Sequence, residues 1–214
     1  MNILFIGGSS EIALKISKKI KYNIYSISRK NNIGYYKKNI KIKSYNEKNI
    51  DLALKKMKHT KFKSIFFFNG YHKASLLSFF NEDLFNKILE TNLKIPIKIT
   101  SILLTKQCIE KNGSINFVGS IAAKKNEVGN AYYSIAKLAL ASASKLFMKE
   151  QKKRGVRFNT FSIGLVKTRM ALNLISKMPY NSIKKIKFTT IKKIANKFIA
   201  VAKSENTNGK NIFI

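Results

Sequence analysis

Residues 2–17, NILFIGGSSEIALKIS, combine three local patterns that together indicate a fold class. The first segment, NILFI, is short and mostly apolar, which predicts a buried strand. Gly7 and Gly8 follow it and allow a tight turn. The next residues place apolar side chains at helical spacing, which predicts a helix. A strand, a glycine turn and a helix in this order form the first half of a βαβ unit.

The alternation of strand and helix continues along the chain. Further strands are predicted at YNIYSIS, IKIKS, SIFFF, SINFV, VRFNTFSI and NIFI, with helices between most of them. Residues 81–107 are predicted as one long helix, in which Pro96 is expected to kink the axis. This order predicts one α/β domain over residues 1–214. We expect a Rossmann-type doubly wound parallel sheet of about seven strands, in the order 3-2-1-4-5-6-7, with helices on both faces.

The charge of the chain limits the classes of partner. Its 42 basic and 10 acidic residues give a formal net charge of +32, a balance that suits nucleic acid or an acidic partner. Only four of the basic residues are arginines, however, and the lysines are scattered through every segment. We therefore expect solvated lysine-rich faces and no specific nucleic acid. The more specific alternative is that the positive electrostatic field of the protein attracts an acidic substrate or carrier protein.

Cysteine and histidine content bears on the compartment. Cys108 is the one cysteine and cannot form an internal disulfide, and with two distant histidines, His59 and His72, it cannot form a metal cluster. No apolar run approaches membrane-spanning length, and no basic leader precedes NILFI. We expect a soluble cytoplasmic protein with no metal and no membrane contact.

The turn after the first strand is a candidate cofactor site, because ligands of doubly wound sheets bind at the carboxyl ends of the strands. It offers a close backbone approach, two hydroxyls and a helix N-terminus to a pyrophosphate. A turn that merely needs glycine is the alternative. The candidate cofactor-binding residues here are Gly7, Gly8, Ser9, Ser10, Glu11 and Ile12.

The end of the second strand indicates which nucleotide would bind. Ser28 and Arg29 stand where a binder of unphosphorylated NAD usually has a carboxylate for the ribose hydroxyls. The missing carboxylate favours the 2′-phosphate of NADP(H), while NAD(H) stays possible. Arg29 is the stronger candidate, since arginine is rare in this chain.

Two Y-x-x-x-K patterns occur, and chance alone predicts about 1.6 copies in a chain so rich in lysine, so spacing by itself carries little weight. Context separates the two. Tyr133 and Lys137 open a helix, and Ser120 stands thirteen residues before Tyr133 at a strand end. The second pair, Tyr180 and Lys184, has a lysine at the corresponding position and no hydroxyl partner.

Nearly the whole chain resembles the short-chain dehydrogenase/reductase family, and in particular its 3-oxoacyl-(acyl-carrier-protein) reductases. The segments that carry the resemblance are FNKILETNLKIP, INFVGSIA, GNAYYSIAKLALASASKLFMKE and VRFNTFSIGLVKTRM, in the family's order and spacing. The resemblance implies a catalytic triad of Ser120, Tyr133 and Lys137, with Asn92 as the fourth member of a proton relay. It also implies cofactor contacts from Asn69, Gly70, Gly164 and Thr168, and further ones from Tyr133 and Lys137.

The implied chemistry has a physical basis. A tyrosine with an ordinary pKa of about 10 is a poor acid or base at neutral pH, and a nearby cation is expected to lower that pKa. Lys137 lies on the same helical face as Tyr133. Ser120 would bind the substrate carbonyl oxygen, and Asn92 would hold a water that refills the tyrosine with a proton. The adjacent Tyr132 is expected to pack instead.

Departures from the family pattern affect the cofactor loop. Its second and third glycines are replaced by Glu11 and Ala13, and a carboxylate here would repel the pyrophosphate unless it turns away or meets a lysine. Ser44 or Asn46 would replace the usual acidic residue that holds the adenine. These changes keep a second hypothesis open, a cofactor-binding protein with weak or no turnover that serves regulation.

Substrate and assembly are less constrained by the residues. Residues 170–187 are expected to form a lid that could close over an acyl chain or meet a phosphate or an acidic carrier. A 3-oxoacyl thioester, a sugar and a phosphorylated intermediate all fit. Small residues on most faces of the helix from Ala131 suggest a homodimer formed through it and the helix of Asn92, although the chain's own loops could cover it instead.

Overall fold

The structure is a computed structural model that describes residues 1–31, 34–125, 127–176 and 186–214. Seven parallel strands form one sheet in the order β3-β2-β1-β4-β5-β6-β7. Their bounds are β1 Asn2–Ile6, β2 Asn23–Ser28, β3 Lys38–Lys41, β4 Phe62–Phe67, β5 Ile109–Ser120, β6 Arg157–Ile163 and β7 Asn211–Phe213. The predicted Rossmann-type sheet and its strand order are confirmed.

The helices cover both faces of this sheet. They are α1 Glu11–Ser17, α2 Glu47–Lys56, α3 Glu82–Leu89, α4 Ile95–Thr105, α5 Ala131–Glu150, α6 Arg169–Ile175 and α7 Ile191–Lys203. One apolar core lies between the sheet and helices α2, α4 and α5, and a second lies between the sheet and α1 and α7. Within the described residues, no helix is both long enough and apolar enough to cross a membrane.

The period-two alternation of strand side chains builds both cores at once. In β1, Leu4 and Ile6 contribute to the first core, whereas Ile3 and Phe5 contribute to the second. Phe66 of β4 stacks on Phe198 of α7, with ring centroids 4.3 Å apart. Apolar side chains therefore pack on both faces of the sheet, as expected for buried parallel strands.

The long helix predicted over residues 81–107 is irregular. A π-helical turn at Glu90–Lys94 separates α3 from α4, and Pro96 lies in the first turn of α4. The irregular turn directly precedes Pro96, and a kink of the axis at Pro96 stays a prediction. The wider turn contains Asn92, whose side chain bonds to backbone outside the helix.

Two strands differ in extent from their predicted bounds. β5 begins at Ile109, earlier than SINFV, and its pairing with β4 shifts register between Phe62 and Ser64. β3 covers Lys38–Lys41, slightly before the predicted IKIKS. Of the predicted lid, residues 170–175 lie in α6, and residues 177–185, with the second Y-x-x-x-K pair, lie outside the described residues.

Candidate active site

The carboxyl ends of β1, β4, β5 and β6 lie side by side and open into one cavity of about 340 Å³. Parallel strands end at the same edge, so residues far apart in sequence meet there. The predicted site residues that line the cavity are Ser10, Glu11, Ile12, Asn69, Gly70, Ser120, Tyr133, Lys137, Gly164 and Thr168. Those that do not line it are Gly7, Gly8, Ser9, Ser28, Arg29 and Asn92.

Ser120, Tyr133 and Lys137 meet at this edge because a strand and a helix converge there. Ser120 ends β5, and Tyr133 and Lys137 lie in the first two turns of α5. The Ser120 side chain lies close enough to the Tyr133 hydroxyl to favour its ionised form and lower its pKa. The Lys137 ammonium donates to the carbonyl of Val118 at 2.8 Å and lies 5.6 Å from the centre of the Tyr133 ring. The three predicted residues therefore form one cluster.

Burial sets the protonation of this cluster. It raises the pKa of Tyr133 to about 12, an effect that the nearby Ser120 side chain only partly offsets. It also lowers the pKa of Lys137 to about 8, because a dry site disfavours the ammonium. Burial is thus the largest influence on the Tyr133 pKa in the free protein, and a lowering of that pKa by Lys137 stays a prediction.

Asn92 is fully buried behind the cavity, in the π-helical turn. Its side-chain amide donates to the carbonyls of Tyr71 and Ile88 at 2.8 and 2.9 Å, and its oxygen accepts from the Tyr71 amide at 3.3 Å. The side chain thus fixes the segment that follows β4. Because Pro96 has no amide hydrogen, the carbonyl of Asn92 lacks its usual α-helical donor four residues on.

The glycine turn after β1 is shaped for close backbone contact. Gly7 has φ +78°, and a Cβ there would lie 3.0 Å from the backbone nitrogen of Asn69. A Cβ on Gly8 would collide with the side chain of Ser26, and the Tyr36 hydroxyl donates to the Gly8 carbonyl at 2.7 Å. Both positions therefore require glycine for reasons of packing, which are present without any ligand.

Asn69 carries the clearest sign of a missing partner on the nucleotide side. The residue is 8% exposed, and its side-chain oxygen is buried without a hydrogen bond. An unsatisfied buried oxygen is unfavourable, so it indicates a place where a ligand hydroxyl could donate. Gly70, next to it, leaves open space where a side chain would stand, with only the Asn92 oxygen at 3.7 Å. These residues fit a nucleotide ribose.

Ser28 and Arg29 have different environments at the end of β2. The Ser28 hydroxyl is fully buried and donates to the Lys30 carbonyl at 2.8 Å. Arg29 is exposed, and its guanidinium lies 5.7 Å from the centre of the Tyr45 ring. Of the two, Arg29 has the side chain that is available to a phosphate from solvent. Ser44 and Asn46 both bond to Asn49 at the start of α2.

The Glu11 carboxylate contacts Arg169, at the start of α6. One oxygen accepts from the backbone amide of Arg169 at 2.6 Å, and the other lies 3.9 Å from the Arg169 guanidinium. Lys15, one helical turn on, donates to the carbonyl of Lys167 at 2.7 Å. Helix α1 thus holds the loop that leads to α6, and with it Thr168, against the cavity.

His72 is a cavity residue that the sequence did not single out as part of this site. Its ring lies edge-on to Tyr133, with ring centroids 5.0 Å apart and planes at 88°. The sequence feature that could have indicated His72 as a site residue is its position two residues after the strand-end motif FNG. Tyr132 packs as expected, against Phe80 and Phe85.

Comparison with known proteins places the chain in a family. The short chain dehydrogenase family profile matches residues 2–179. The chain is 29% identical over 101 residues to the 3-oxoacyl-(acyl-carrier-protein) reductase FabG of Salmonella typhimurium, covering 47% of this chain and 41% of that protein. It is 33% identical over 101 residues to carbonyl reductase family member 4 of Xenopus tropicalis, covering 47% and 42%. The chain thus matches less than half the length of these relatives.

Solved structures share the whole fold. A short-chain dehydrogenase family protein from Francisella tularensis superposes with a TM-score of 0.86 at 22% identity, over all of this chain and 96% of that one. A 4-hydroxyisoleucine dehydrogenase complexed with NADH gives a TM-score of 0.80 at 19% identity, over all of this chain and 96% of that one. These likenesses show the fold, and the profile match spans most of the chain. The chain therefore belongs to the short-chain dehydrogenase family.

Proposed function

We propose that residues 1–214 form one nucleotide-binding domain that interconverts a carbonyl and a secondary alcohol by hydride transfer, with a preference for NADP(H). The observation that carries the proposal is the cluster of Ser120, Tyr133 and Lys137 in a cavity that Asn69 and Gly70 also line. A proton donor, a cation and a ribose-binding group on one cavity are what this reaction needs.

The proposed chemistry assigns a separate task to each side chain. Ser120 donates a hydrogen bond to the carbonyl oxygen, where negative charge develops during reduction. Tyr133 gives that oxygen its proton, and Lys137 stabilises the phenolate that remains. Hydride chemistry comes from the nicotinamide nucleotide when it is bound. Asn92 positions the segment after β4, and its carbonyl is a candidate site for the water that returns the proton.

We assign the nucleotide to the edge formed by β1, β2 and β4. Asn69 and Gly70 would hold a ribose, and the backbone of residues 7–12 would face the pyrophosphate. Arg29 would pair with a 2′-phosphate, since its guanidinium is exposed and stacked near Tyr45. Gly164 and Thr168, which line the cavity beside α6, would contact the nicotinamide end.

We also propose a homodimer and a cytoplasmic location. Helix α5 exposes Ile135, Leu138 and Leu146, each more than two-fifths accessible, on a helix whose other side faces the sheet. A second subunit would cover these side chains. The cytoplasmic proposal rests on the single cysteine, Cys108, which is free and buried. A carrier-bound acyl substrate stays a proposal supported by the basic surface.

The first experiment is a titration of the protein with NADPH and with NADH, followed by the fluorescence of the reduced nicotinamide. The chain has no tryptophan, which keeps the protein background low. Micromolar binding of NADPH and binding of NADH at least tenfold weaker would support the proposal. Arg29→Gln should weaken NADPH by about tenfold and leave NADH unchanged. Absence of binding by either nucleotide would contradict the proposal, and binding without any carbonyl reduction would favour the regulatory alternative.

A further inference from the structure

A chain of hydrogen bonds orients the imidazole of His72 within the cavity. The Asn130 side chain lies between His72 and Glu127: its nitrogen donates to the Glu127 carboxylate at 2.8 Å, and its oxygen is 2.6 Å from Nε2 of His72. Asn130 is 5% exposed and directly precedes α5, three residues before Tyr133. The position of His72 is therefore tied to the same helix turn that carries the proposed proton donor.

The donors and acceptors in this series of hydrogen bonds determine which ring nitrogen of His72 carries hydrogen. A carboxylate only accepts hydrogen bonds, so the Asn130 nitrogen must face Glu127 and the Asn130 oxygen must face His72. An amide oxygen also only accepts, so Nε2 of His72 must carry the hydrogen. In the neutral ring, Nδ1 is then a bare acceptor, and no other described residue bonds to the ring.

We propose that Nδ1 of His72 accepts a hydrogen bond from a hydroxyl group next to the reacting carbonyl, so that the preferred substrates are hydroxyketones. The inference rests on the proposed function. His72 lines the same cavity as Ser120 and Tyr133, and its ring contacts the Tyr133 ring. The cavity lining also includes apolar side chains, among them Ile163, Leu165 and Leu174.

Asn130 and Glu127 are positioning residues in this proposal. They hold the ring in the tautomer that accepts, and neither needs to touch the substrate. A substrate without the hydroxyl leaves Nδ1 of His72 without a hydrogen-bond partner in a site from which water is excluded. Such a substrate is therefore disfavoured. We expect a preference on the order of tenfold in kcat/KM from one such hydrogen bond.

The kinetic test uses three carbonyl compounds of similar size: hydroxyacetone, butanone and pyruvate. The wild type should prefer hydroxyacetone to butanone by about tenfold in kcat/KM, and in His72→Phe the ratio of the two kcat/KM values should fall to about one. Phenylalanine keeps the ring contact with Tyr133 and lacks an acceptor, which makes it the matched variant. Equal use of hydroxyacetone and butanone by the wild type, a preference that survives in His72→Phe, or a preference for pyruvate would each overturn the assignment.

A second measurement is independent of turnover. The chain has only two histidines, so nitrogen NMR of the imidazoles is simple, and His72→Phe identifies the His72 signals. We expect Nε2 protonated and Nδ1 bare in the wild type, an altered tautomer balance in Asn130→Ala, and an Nδ1 shift on adding hydroxyacetone but not butanone. A ring protonated at Nδ1, or no shift, would overturn the inference. Failure to bind nucleotide or reduce butanone would instead count against the proposed function.

Discussion

The two sides of the cavity differ in how closely they follow the family pattern. The β5–α5 side brings Ser120, Tyr133 and Lys137 together through regular elements and keeps all three residue types. The β1–α1 side keeps Gly7 and Gly8, but Glu11 and Ala13 replace the second and third glycines of the family loop. On the first side the residues are those that the proposed reaction needs, and on the second side Glu11 contacts Arg169.

The difference shows that a motif residue and its environment must be examined together. Tyr133 stands where the family motif predicts, yet burial raises its pKa to about 12 in the free protein. Glu11 stands where a carboxylate would repel a pyrophosphate, yet it accepts a hydrogen bond from the Arg169 amide. Tyr133 is the residue that the family motif predicts, but its pKa is higher than expected. Glu11 is not the residue that the motif predicts, but its carboxylate has a hydrogen-bond donor in Arg169.

The largest expected effect comes from Tyr133→Phe on the β5–α5 side. Loss of the proton donor should lower kcat/KM for a carbonyl substrate by about 10²- to 10⁴-fold. NADPH affinity should stay within about threefold, because the ring is kept and only its hydroxyl is removed. Steady-state kinetics and a fluorescence titration of the purified variant check both expectations.

Tyr132→Phe is the control for this substitution, since it makes the same change on the neighbouring residue. The Tyr132 hydroxyl accepts from the Asn81 amide at 3.3 Å, and the ring is buried among aromatic side chains. The control should lose about 1 kcal/mol of unfolding free energy and keep its activity. Equal loss of activity in both variants would show that packing, not proton transfer, explains the effect.

The second prediction concerns Lys137 and the pH dependence of stability. Burial lowers its pKa from 10.5 to about 8, so between these pH values the unfolded chain binds a proton that the folded chain lacks. The free energy of unfolding should therefore gain a contribution as pH rises through this window, about 3 kcal/mol at most. Lys137→Met should lack that contribution, and urea unfolding of both proteins from neutral pH to about pH 10 measures the difference.

Activity should move in the opposite direction over the same window. The proposed role of Lys137 requires the ammonium, so kcat/KM of the wild type should fall as pH rises above about 8. A constant stability difference between wild type and Lys137→Met across the window would contradict the burial argument. A flat activity profile would contradict the role given to the cation.

The parts of the molecule that depend on local pattern were predictable. Strand order follows from the alternation of apolar strands and amphipathic helices. Spacing places Tyr133 and Lys137 on one helix face, and the family resemblance implies that Ser120, at a strand end, joins them. Tyr132 could be assigned to packing for the same reason, because adjacent helical residues point in different directions.

The parts that depend on distant contacts were not predictable. The π-helical turn that holds Asn92 goes with bonds to Tyr71, 21 residues earlier. The contact between His72 and Asn130 spans 58 residues, and that between Glu11 and Arg169 spans 158. The pKa of Tyr133 depends on burial by the whole fold. No local pattern records any of these.

The smallest expected effect tests the altered β1–α1 side through Glu11→Gln. The glutamine oxygen can still accept from the Arg169 amide, so the contact with the loop before α6 is kept while the charge is removed. NADPH should bind about threefold more tightly, because a partly exposed carboxylate repels the pyrophosphate only weakly through solvent. The gain should shrink at high salt. Fluorescence titration at low and high salt measures both effects.

Glu47→Gln is the matched control, since Glu47 begins α2 as Glu11 begins α1 and lies outside the cavity. It should leave NADPH affinity unchanged, because the same loss of charge occurs away from the glycine turn. Weaker binding by Glu11→Gln alone would mean that the carboxylate's hold on Arg169 contributes more than its repulsion. The replaced glycine would then be part of how this chain retains its nucleotide, and the β1–α1 side would be adapted to Glu11 as closely as the β5–α5 side is to Tyr133.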